Sequence, residues 1–441
     1  MTELLWVLLG IALLVVFNVK LKIHNLISLL VVGLFVAVCC GMALDELVPT
    51  VTEGLGSIFG SLAIIIIFGA VIGKIMTDTG ASQRIADTVV AHCGIRYLPF
   101  GLLFVGVIFG IAMFYEVAFL IAAPLVLSIA RKAKVPYMRL IIPVVAGCTM
   151  GHSLFPPQPG PTALVAALGA SIPMVYVYGA ITLVPALLCA GILLPRVLPG
   201  INSMRMDSIM KGPGHEFTDE EMPSFLVSMA IPLIPAVLMI GASLLSGALG
   251  ADTPAGQVAA LVGNANITML ITLFITAYLL LIRRGKTWED ASVKMTEGIS
   301  QVANVLIVIC AGGIFKQVII DTGVANQIVD LVSGVPVSPY IIAWLITAII
   351  RILTGQGAVA AITSAGMVAP LVPRFGLDPA LMAICVACGS NTITLMYDGG
   401  FLLFKETFGI SMKDTFKTWG LLELVNSVVG LGAVLVLSLF V

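Results

Sequence analysis

Four ionisable side chains stand out because each lies within a long apolar or helix-breaking part of the chain. Glu116 and Arg351 are each the only charged residue of an apolar stretch, 98–130 and 339–373, and His152 and Asp398 lie in two glycine-containing breaks. A charge at mid-membrane costs at least about 2.5–3.5 kcal/mol, so such residues are functional candidates. We interpret Glu116, Asp398 and His152 as candidate carriers of a proton or cation, and Arg351 as a candidate ligand of an anion.

Structural roles remain open for two of these residues. His152 is the only ionisable residue between Arg139 and Arg196 other than cysteine and tyrosine, and a lone histidine often serves a structural role. Arg351 could equally extend its charge towards the membrane surface or neutralise a buried carboxylate.

Two helix-breaking stretches supply neutral polar groups beside these charges. Residues 151–162 read GHSLFPPQPGPT, and residues 389–400 read GSNTITLMYDGG. Clustered prolines cannot continue a helix, so we expect two broken helices whose free N-terminal N–H groups bind a carboxylate near Thr162 and Ser390–Thr392. The residues expected to contact the substrate are Gln158, Gly160, Thr162, Arg351, Gln356, Ser390, Asn391 and Thr392.

Composition determines the class of protein that must position these groups. The 441 residues are 59% hydrophobic and only 10% charged, whereas a soluble domain carries about 25% charge. We therefore predict an all-α polytopic membrane protein. The net charge of −1 argues against a nucleic-acid partner. No nucleotide-binding or hydrolase motif is present, so we expect neither an enzyme nor a metal or cofactor.

The chain also contains an internal repeat. Asp78-Thr79-Gly80 recurs as Asp321-Thr322-Gly323, and Thr52-Glu53-Gly54 recurs as Thr296-Glu297-Gly298. Basic residues in matched loops exchange sides, which indicates antiparallel copies. We predict two inverted halves of six elements each, 1–195 and 225–441, joined by the cytoplasmic linker 196–224. Segments 20–24, 131–139 and 283–298 and a loop at 74–97 are expected on the linker's side, with both termini outside.

Two apolar stretches are too short to cross the bilayer twice. Each leg of 98–130 has about 16 residues and rises about 24 Å, less than the roughly 30 Å hydrocarbon core. We predict re-entrant hairpins at 98–130 and 339–373, and broken helices at 140–170 and 379–404. The total is about ten transmembrane helices plus two hairpins.

Several motifs resemble one family, the gluconate permeases, also described as gluconate:proton symporters. The motifs are GH…PPxPGPT at 151–162, FYEV at 114–117, AGGxFKQV at 311–318 and FxxFKE at 401–406. The resemblance implies proton-coupled uptake of sugar acids across the bacterial inner membrane. It also implies membership of the wider ion-transporter superfamily, whose members are homodimers with a scaffold domain and a hairpin-bearing transport domain that moves as an elevator.

Three departures from the family pattern fall at the expected site: Gln158 replaces a usual histidine, Gly355–Ala358 replace Gly-Ser-Ala-Thr, and Asp398-Gly399-Gly400 replace Asp-Pro-Gly. The leading hypothesis is therefore a proton-coupled symporter of a small hydroxylated carboxylate, with gluconate, glycerate or D-serine as possible substrates. Alternatives are sodium coupling, a passive anion channel and, least supported, a membrane-embedded enzyme.

Overall fold

The computed structural model is all-helical over the residues that it describes. Eight of its helices, continuous or nearly so, are long and apolar enough to cross a membrane, which agrees with the predicted polytopic class. The described residues are 2–21, 23–113, 115, 118, 119, 122, 123, 126, 127, 129, 130, 134–198, 200, 201, 217–250, 252–324, 327, 337–392 and 398–441.

The longer helices are labelled in chain order. They are α1 (Thr2–Val15), α2 (Asn25–Cys39), α3 (Leu47–Asp78), α4 (Ala81–Ala112), α5 (Met138–Leu154), α6 (Pro159–Leu168), α7 (Ile172–Leu187), α8 (Phe225–Leu249), α9 (Pro254–Gly263), α10 (Ala265–Leu280), α11 (Trp288–Asp321), α12 (Pro339–Thr354), α13 (Gly357–Val368), α14 (Pro379–Gly389), α15 (Gly399–Phe408) and α16 (Leu421–Leu437). A π-helical turn and a short helix extend α7 to Val197.

The two longest helices of matched sequence, α3 and α11, pack against each other in antiparallel directions. A Cβ on Gly54 would lie 2.6 Å from the Gly313 carbonyl oxygen, and a Cβ on Gly298 would lie 2.9 Å from the Val71 Cα. Gly54 and Gly298 are the repeated glycines found in the sequence. Each lets the partner backbone approach closely, as small residues do between membrane helices.

A cluster of ion pairs fastens one end of the α3–α11 pair. Lys74 lies 2.9 Å from Asp78 and 3.2 Å from Glu297, and Lys294 lies 2.7 Å from Asp78. Hydrogen bonds from Lys294 and Lys74 lower the pKa of Glu297, and the bond to Asp78 raises the pKa of Lys294. At the opposite end of the α3–α11 pair, the Thr50 hydroxyl donates to Asp321 at 2.8 Å. Asp321 therefore has a hydroxyl partner, whereas Asp78 at the first end has lysine partners.

A second pair, α4 and α5, is held by backbone contact. A Cβ on Gly151 would lie 2.7 Å from the Val107 carbonyl oxygen, and one on Gly147 would overlap the Leu103 carbonyl oxygen. The rising residue numbers on both helices show that α5 runs parallel to the second half of α4.

The second half of the chain repeats this contact. A Cβ on Gly389 of α14 would lie 2.8 Å from the Trp344 carbonyl oxygen of α12. Gly389 follows Gly151 by 238 residues, and Trp344 follows Val107 by 237 residues. A close contact between a glycine and a helix backbone thus occurs at a similar spacing later in the chain.

The helices break inside or next to the segments expected to do so. Gly355 and Gln356 separate α12 from α13, and residues 155–158 separate α5 from α6. A longer interruption, 390–398, separates α14 from α15, and its residues 393–397 lie outside the described part. Since α12 and α13 contain 16 and 12 residues, each is shorter than the roughly 20 residues that cross a bilayer.

One expected boundary was wrong. Residues 81–97 were expected to form part of a loop before the first hairpin, but α4 begins at Ala81 and bends at Gly94 (φ 56°, ψ 163°). The end of the linker packs on this first part of α4, where Arg84 lies 2.6 Å from Asp219 and donates to the Pro223 carbonyl at 2.9 Å.

The glycine contact between α4 and α5 predicts a stability effect. Gly147→Ala should lower the free energy of unfolding by about 1–3 kcal/mol, because the added methyl group meets backbone atoms that cannot move aside. Gly247→Ala in α8 is the matched control, since nothing lies within 4 Å of its Cβ position. Thermal unfolding of purified protein in detergent measures both; equal midpoints for the two variants would contradict the expectation.

Candidate functional site

A cavity of about 110 Å³ lies where the interrupted helices meet. The ends of α5, α12 and α14, the beginnings of α6, α13, α15 and α16, and part of α11 surround it. Its lining includes Tyr115, Thr149, His152, Ser153, Gly160, Arg351, Gln356, Gly357, Ala358, Ser390, Asn391, Asp398, Trp419 and Glu423.

Two helix N-termini at this cavity have no side-chain cap. Gln158 and Gln356 occupy the N-cap positions of α6 and α13, and neither side chain bonds to the first-turn N–H groups. Gly160 and Gly357, which line the cavity, follow these caps. Because Pro159 and Pro161 have no N–H, α6 offers only the N–H of Gly160, whereas α13 offers the N–H groups that begin at Gly357. Free N–H groups and the positive end of the helix dipole favour a bound anion.

Arg351 and Asp398 form a buried ion pair at the cavity wall. Arg351 Nη2 lies 2.7 Å from Asp398 Oδ2, and the two side chains are only 8% and 3% exposed. Asp398 Oδ1 also accepts from the Phe401 N–H at 2.7 Å and so caps α15. Arg351 Nε has no hydrogen-bond partner among the described residues. The guanidinium group therefore keeps a donor for a ligand.

Glu423 is a functional candidate that the sequence analysis missed. It lies in the first turn of α16, is 1% exposed and lines the same cavity. Within the described part of the chain, its Oε1 atom has no hydrogen-bond partner. The signal was present, because Glu423 is the only charged residue of the apolar segment 418–441.

The neighbours of Glu423 are polar and equally buried. Thr149 lines the cavity, and its Oγ1 accepts from Asn426 Nδ2 at 3.2 Å. Asn426 Oδ1 and Trp419 Nε1 have no partner among the residues that the structure places. A buried polar group without a partner costs about 1–3 kcal/mol, so this wall of the cavity offers unused hydrogen-bonding capacity.

Gln158 does not line the cavity, contrary to the expectation that it contacts substrate. Its Nε2 donates to the carbonyls of Ile111 and Met113 at 2.9 and 3.3 Å. These carbonyls end α4, and helix ends need such donors. His152, which does line the cavity, hydrogen bonds with Gln158 and with the Met113 backbone. Gln158 thus connects the break after α5 to the end of α4.

Ser390–Thr392 lie at a helix C-terminus, not at the N-terminus that was expected there. Ser390 and Asn391 line the cavity just after α14 ends, while Thr392 is buried away from it. The end of α14 presents carbonyl groups, which do not favour a carboxylate. The second anion-favouring end belongs instead to α13, at Gly357.

Asn391 joins the two breaks. Its Oδ1 accepts from Ser153 Oγ at 2.5 Å, and its Nδ2 donates to Met150 Sδ at 3.4 Å. Asn391 and Ser153 are separated by the same sequence offset as Gly389 and Gly151. The break after α5 and the break after α14 are therefore joined by a hydrogen bond beside the cavity.

Thr162 does not line the cavity, although its Oγ1 is buried and lacks a partner within the described residues. Glu116 lies outside the described residues. The structure thus brings together Gly160, Arg351, Gln356, Ser390, Asn391, His152 and Asp398 of the expected residues.

A helical fold with eight apolar spans and a charged cavity between broken helices defines a multi-pass membrane transporter. Residues 2–440 match the family model described as GntP family permease. The chain belongs to this family of permeases.

Individual relatives match along nearly their whole length. The chain is 46% identical to a high-affinity gluconate transporter of Escherichia coli K12 and 38% identical to a gluconate permease of Bacillus subtilis 168, over 99% of each chain. It is 34% identical to the Gnt-II system L-idonate transporter of E. coli K12, over 97% of both.

Solved structures share the fold at low sequence identity. The YdaH transporter of Alcanivorax borkumensis superposes with a TM-score of 0.64 at 17% identity, covering 90% of this chain and 89% of that one. MtrF of Neisseria gonorrhoeae gives 0.63 at 12% identity, covering 94% and 95%.

The buried ion pair predicts a large effect of a small substitution. Asp398→Asn keeps an N-cap for α15 but leaves Arg351 buried without its counter-charge. We expect a loss of about 3–5 kcal/mol in the free energy of unfolding. Asp378→Asn is the control, because Asp378 caps α14 in the same way, accepting from Leu381 N–H at 2.8 Å, and should cost below about 0.5 kcal/mol.

Chemical unfolding in detergent measures both variants. Arg351→Gln/Asp398→Asn should lose less stability than the two single substitutions together, since removing both charges leaves neither uncompensated. Additive losses would contradict a direct interaction.

Proposed function

We propose that this permease carries a small hydroxylated carboxylate of the gluconate class into the cell together with a proton, across the bacterial inner membrane. The observation that carries the proposal is the convergence of Arg351 with the uncapped N-termini of α6 and α13 on one buried cavity. Relatives described as gluconate and L-idonate transporters support a sugar acid as the substrate.

The carboxylate would bind Arg351 and the first-turn N–H groups at Gly160 and Gly357. A guanidinium group and helix N-termini are the protein's strongest neutralising partners for a carboxylate. The sugar-acid hydroxyls would exchange hydrogen bonds with Gln356, Ser390 and Asn391, whose neutral side chains line the same cavity.

Charge balance favours a proton as the coupling ion. With both acids ionised, Arg351, Asp398 and Glu423 give the empty cavity a net charge of −1. If Glu423 takes up a proton when the substrate anion binds, the loaded cavity also has a net charge of −1. Equal charges keep the electrostatic cost of burial similar for the loaded and empty forms.

Glu423 is our first choice for the proton site, because Arg351 and the α15 cap already occupy Asp398. Asp398 and His152 remain proposed carriers from the sequence, and so does Glu116. A substrate carboxylate that binds Arg351 would compete with Asp398 for the guanidinium group. This competition offers a way to couple anion binding to protonation of Asp398.

We propose that the chain is an inverted repeat that forms a scaffold domain and a transport domain, and that it assembles as a homodimer. The transport domain would move as an elevator, as in the wider ion-transporter superfamily. The antiparallel α3–α11 pair, the repeated glycine contact and the Ser153–Asn391 bond between the two breaks support this proposal.

Sodium coupling is the second candidate. The carbonyl end of α14 and the hydroxyl of Ser390 lie at the cavity, and oxygen ligands of this kind suit a hard cation. Ser390 Oγ, however, donates to the Ala387 carbonyl at 2.8 Å, which uses one of the carbonyls that a cation would need.

Uptake by proteoliposomes tests the proposed substrate and coupling ion. An inward proton gradient in sodium-free buffer should drive accumulation of labelled gluconate. Arg351→Gln should reduce uptake roughly 10- to 100-fold by removing a charged hydrogen-bond partner, whereas Arg374→Gln, an exposed arginine outside the cavity, should not. A strict sodium requirement would refute proton coupling, and a flux that never exceeds equilibration would indicate a channel.

A separate measurement tests Glu423. Glu423→Gln mimics the protonated side chain, so exchange of external for internal gluconate should continue while proton-driven accumulation falls to the equilibrium level. Glu289→Gln, which removes an exposed carboxylate at the start of α11, should retain both activities. Undiminished accumulation by Glu423→Gln would assign the proton to another residue.

A further inference from the structure

A second cavity, of about 430 Å³, lies apart from the charged one. It is formed by the bend of α4, the beginning of α5 and the extension of α7. Three arginines line it: Arg96, Arg139 and Arg196. Apart from these, the lining is apolar, with Ile95, Leu140 and Ile192 among its side chains.

Local structure brings the three arginines together. The non-helical backbone at Gly94 turns α4 just before Arg96. Arg139 is the second residue of α5, and Arg196 lies in the last turn of the extension of α7. Three segments distant in sequence therefore meet at the same place, with one cation each.

No acidic residue neutralises this cluster within the described part of the chain. The cavity lining contains no Asp or Glu, and no ion pair of Arg96, Arg139 or Arg196 occurs among the described residues. Arg84, by contrast, is paired with Asp219 at 2.6 Å. All three arginines are exposed, so their guanidinium groups are accessible to an anion that enters the cavity.

The surroundings of the cavity are those of a membrane boundary. Ile95 is 67% exposed and Val197 is 72% exposed, although both are apolar. The Tyr97 ring lies 5.7 Å from the Arg96 guanidinium carbon. Cations, an interfacial tyrosine and exposed apolar side chains together mark the level where lipid headgroups meet the hydrocarbon core.

The second cavity lies on the side of the membrane that is expected to face the cytoplasm. Arg284, in a predicted cytoplasmic segment, donates to the Thr79 carbonyl at 3.3 Å, and Thr79 directly precedes the turn into α4. Segment 131–139, which contributes Arg139, is expected on the same side. Anionic lipids attract basic clusters at this surface.

We propose that the Arg96–Arg139–Arg196 cavity binds the phosphodiester headgroup of an anionic phospholipid. The guanidinium groups would hold the phosphate oxygens by charged hydrogen bonds. The acyl chains would lie over the exposed apolar side chains beside the cavity, Ile95, Leu193 and Val197.

Native mass spectrometry of the delipidated, full-length protein tests this assignment. Phosphatidylglycerol and phosphatidylcholine are added separately, and inorganic phosphate is then added to the phosphatidylglycerol complex. Wild-type protein should retain phosphatidylglycerol adducts, and Arg139→Gln/Arg196→Gln should bind it roughly tenfold more weakly, as expected for losing two cations near an anionic group. Arg283→Gln/Lys286→Gln, which removes two exposed charges elsewhere, should bind like wild type.

Each result either supports or contradicts the proposed lipid site. Equal binding by the two double variants, or equal retention of phosphatidylcholine and phosphatidylglycerol, would overturn the proposal. Inorganic phosphate that displaces the lipid completely would show an anion site without lipid specificity and would also overturn it. Arg139→Lys/Arg196→Lys should recover part of the affinity, which a merely misfolded glutamine variant could not explain.

Discussion

A helix that stops inside a membrane leaves N–H and C=O groups with no water to satisfy them, and the site depends on how this chain meets that requirement. Gln158 satisfies the carbonyl end of α4, and Asp398 satisfies the N-terminus of α15. The N-termini of α6 and α13 receive no side-chain cap. These two uncapped helix ends lie at one cavity.

The buried charged residues are subject to the same requirement for a partner. Arg351 is buried because Asp398 accompanies it, and Asp398 is positioned because α15 begins at the next residue. Glu423 forms no ion pair among the described residues, but it hydrogen bonds with Thr149 and is attracted by the charge of Arg351. One cavity thus contains an ion pair and a second buried acid that has no ion-pair partner of its own.

Sequence alone could predict the breaks and seven of the residues that line the cavity. Proline-rich 156–161, the Gly355-Gln356 step and the intramembrane charges Arg351 and Asp398 all follow from local rules of helix formation and from the cost of buried charge. Glu423 obeys the same rule and could have been found from it.

Other features could not be read from the sequence. A sequence break does not show at which residue the next helix begins. Ser390–Thr392 were therefore expected at a helix N-terminus, but they follow the C-terminus of α14. The carbonyl partners of Gln158 belong to a distant part of the chain, and only the packing of α4 against α5 brings them together. Composition predicts a membrane protein, whereas tertiary packing determines which polar groups already have hydrogen-bond partners.

The glycine contacts between α4 and α5 have a mechanical consequence. Side chains that interlock can change rotamer and let two helices slide, but Gly147 and Gly151 place backbone directly against backbone. Such a contact has no rotamers to change, and its separation cannot shrink. The two helices therefore form one rigid unit where these contacts lie.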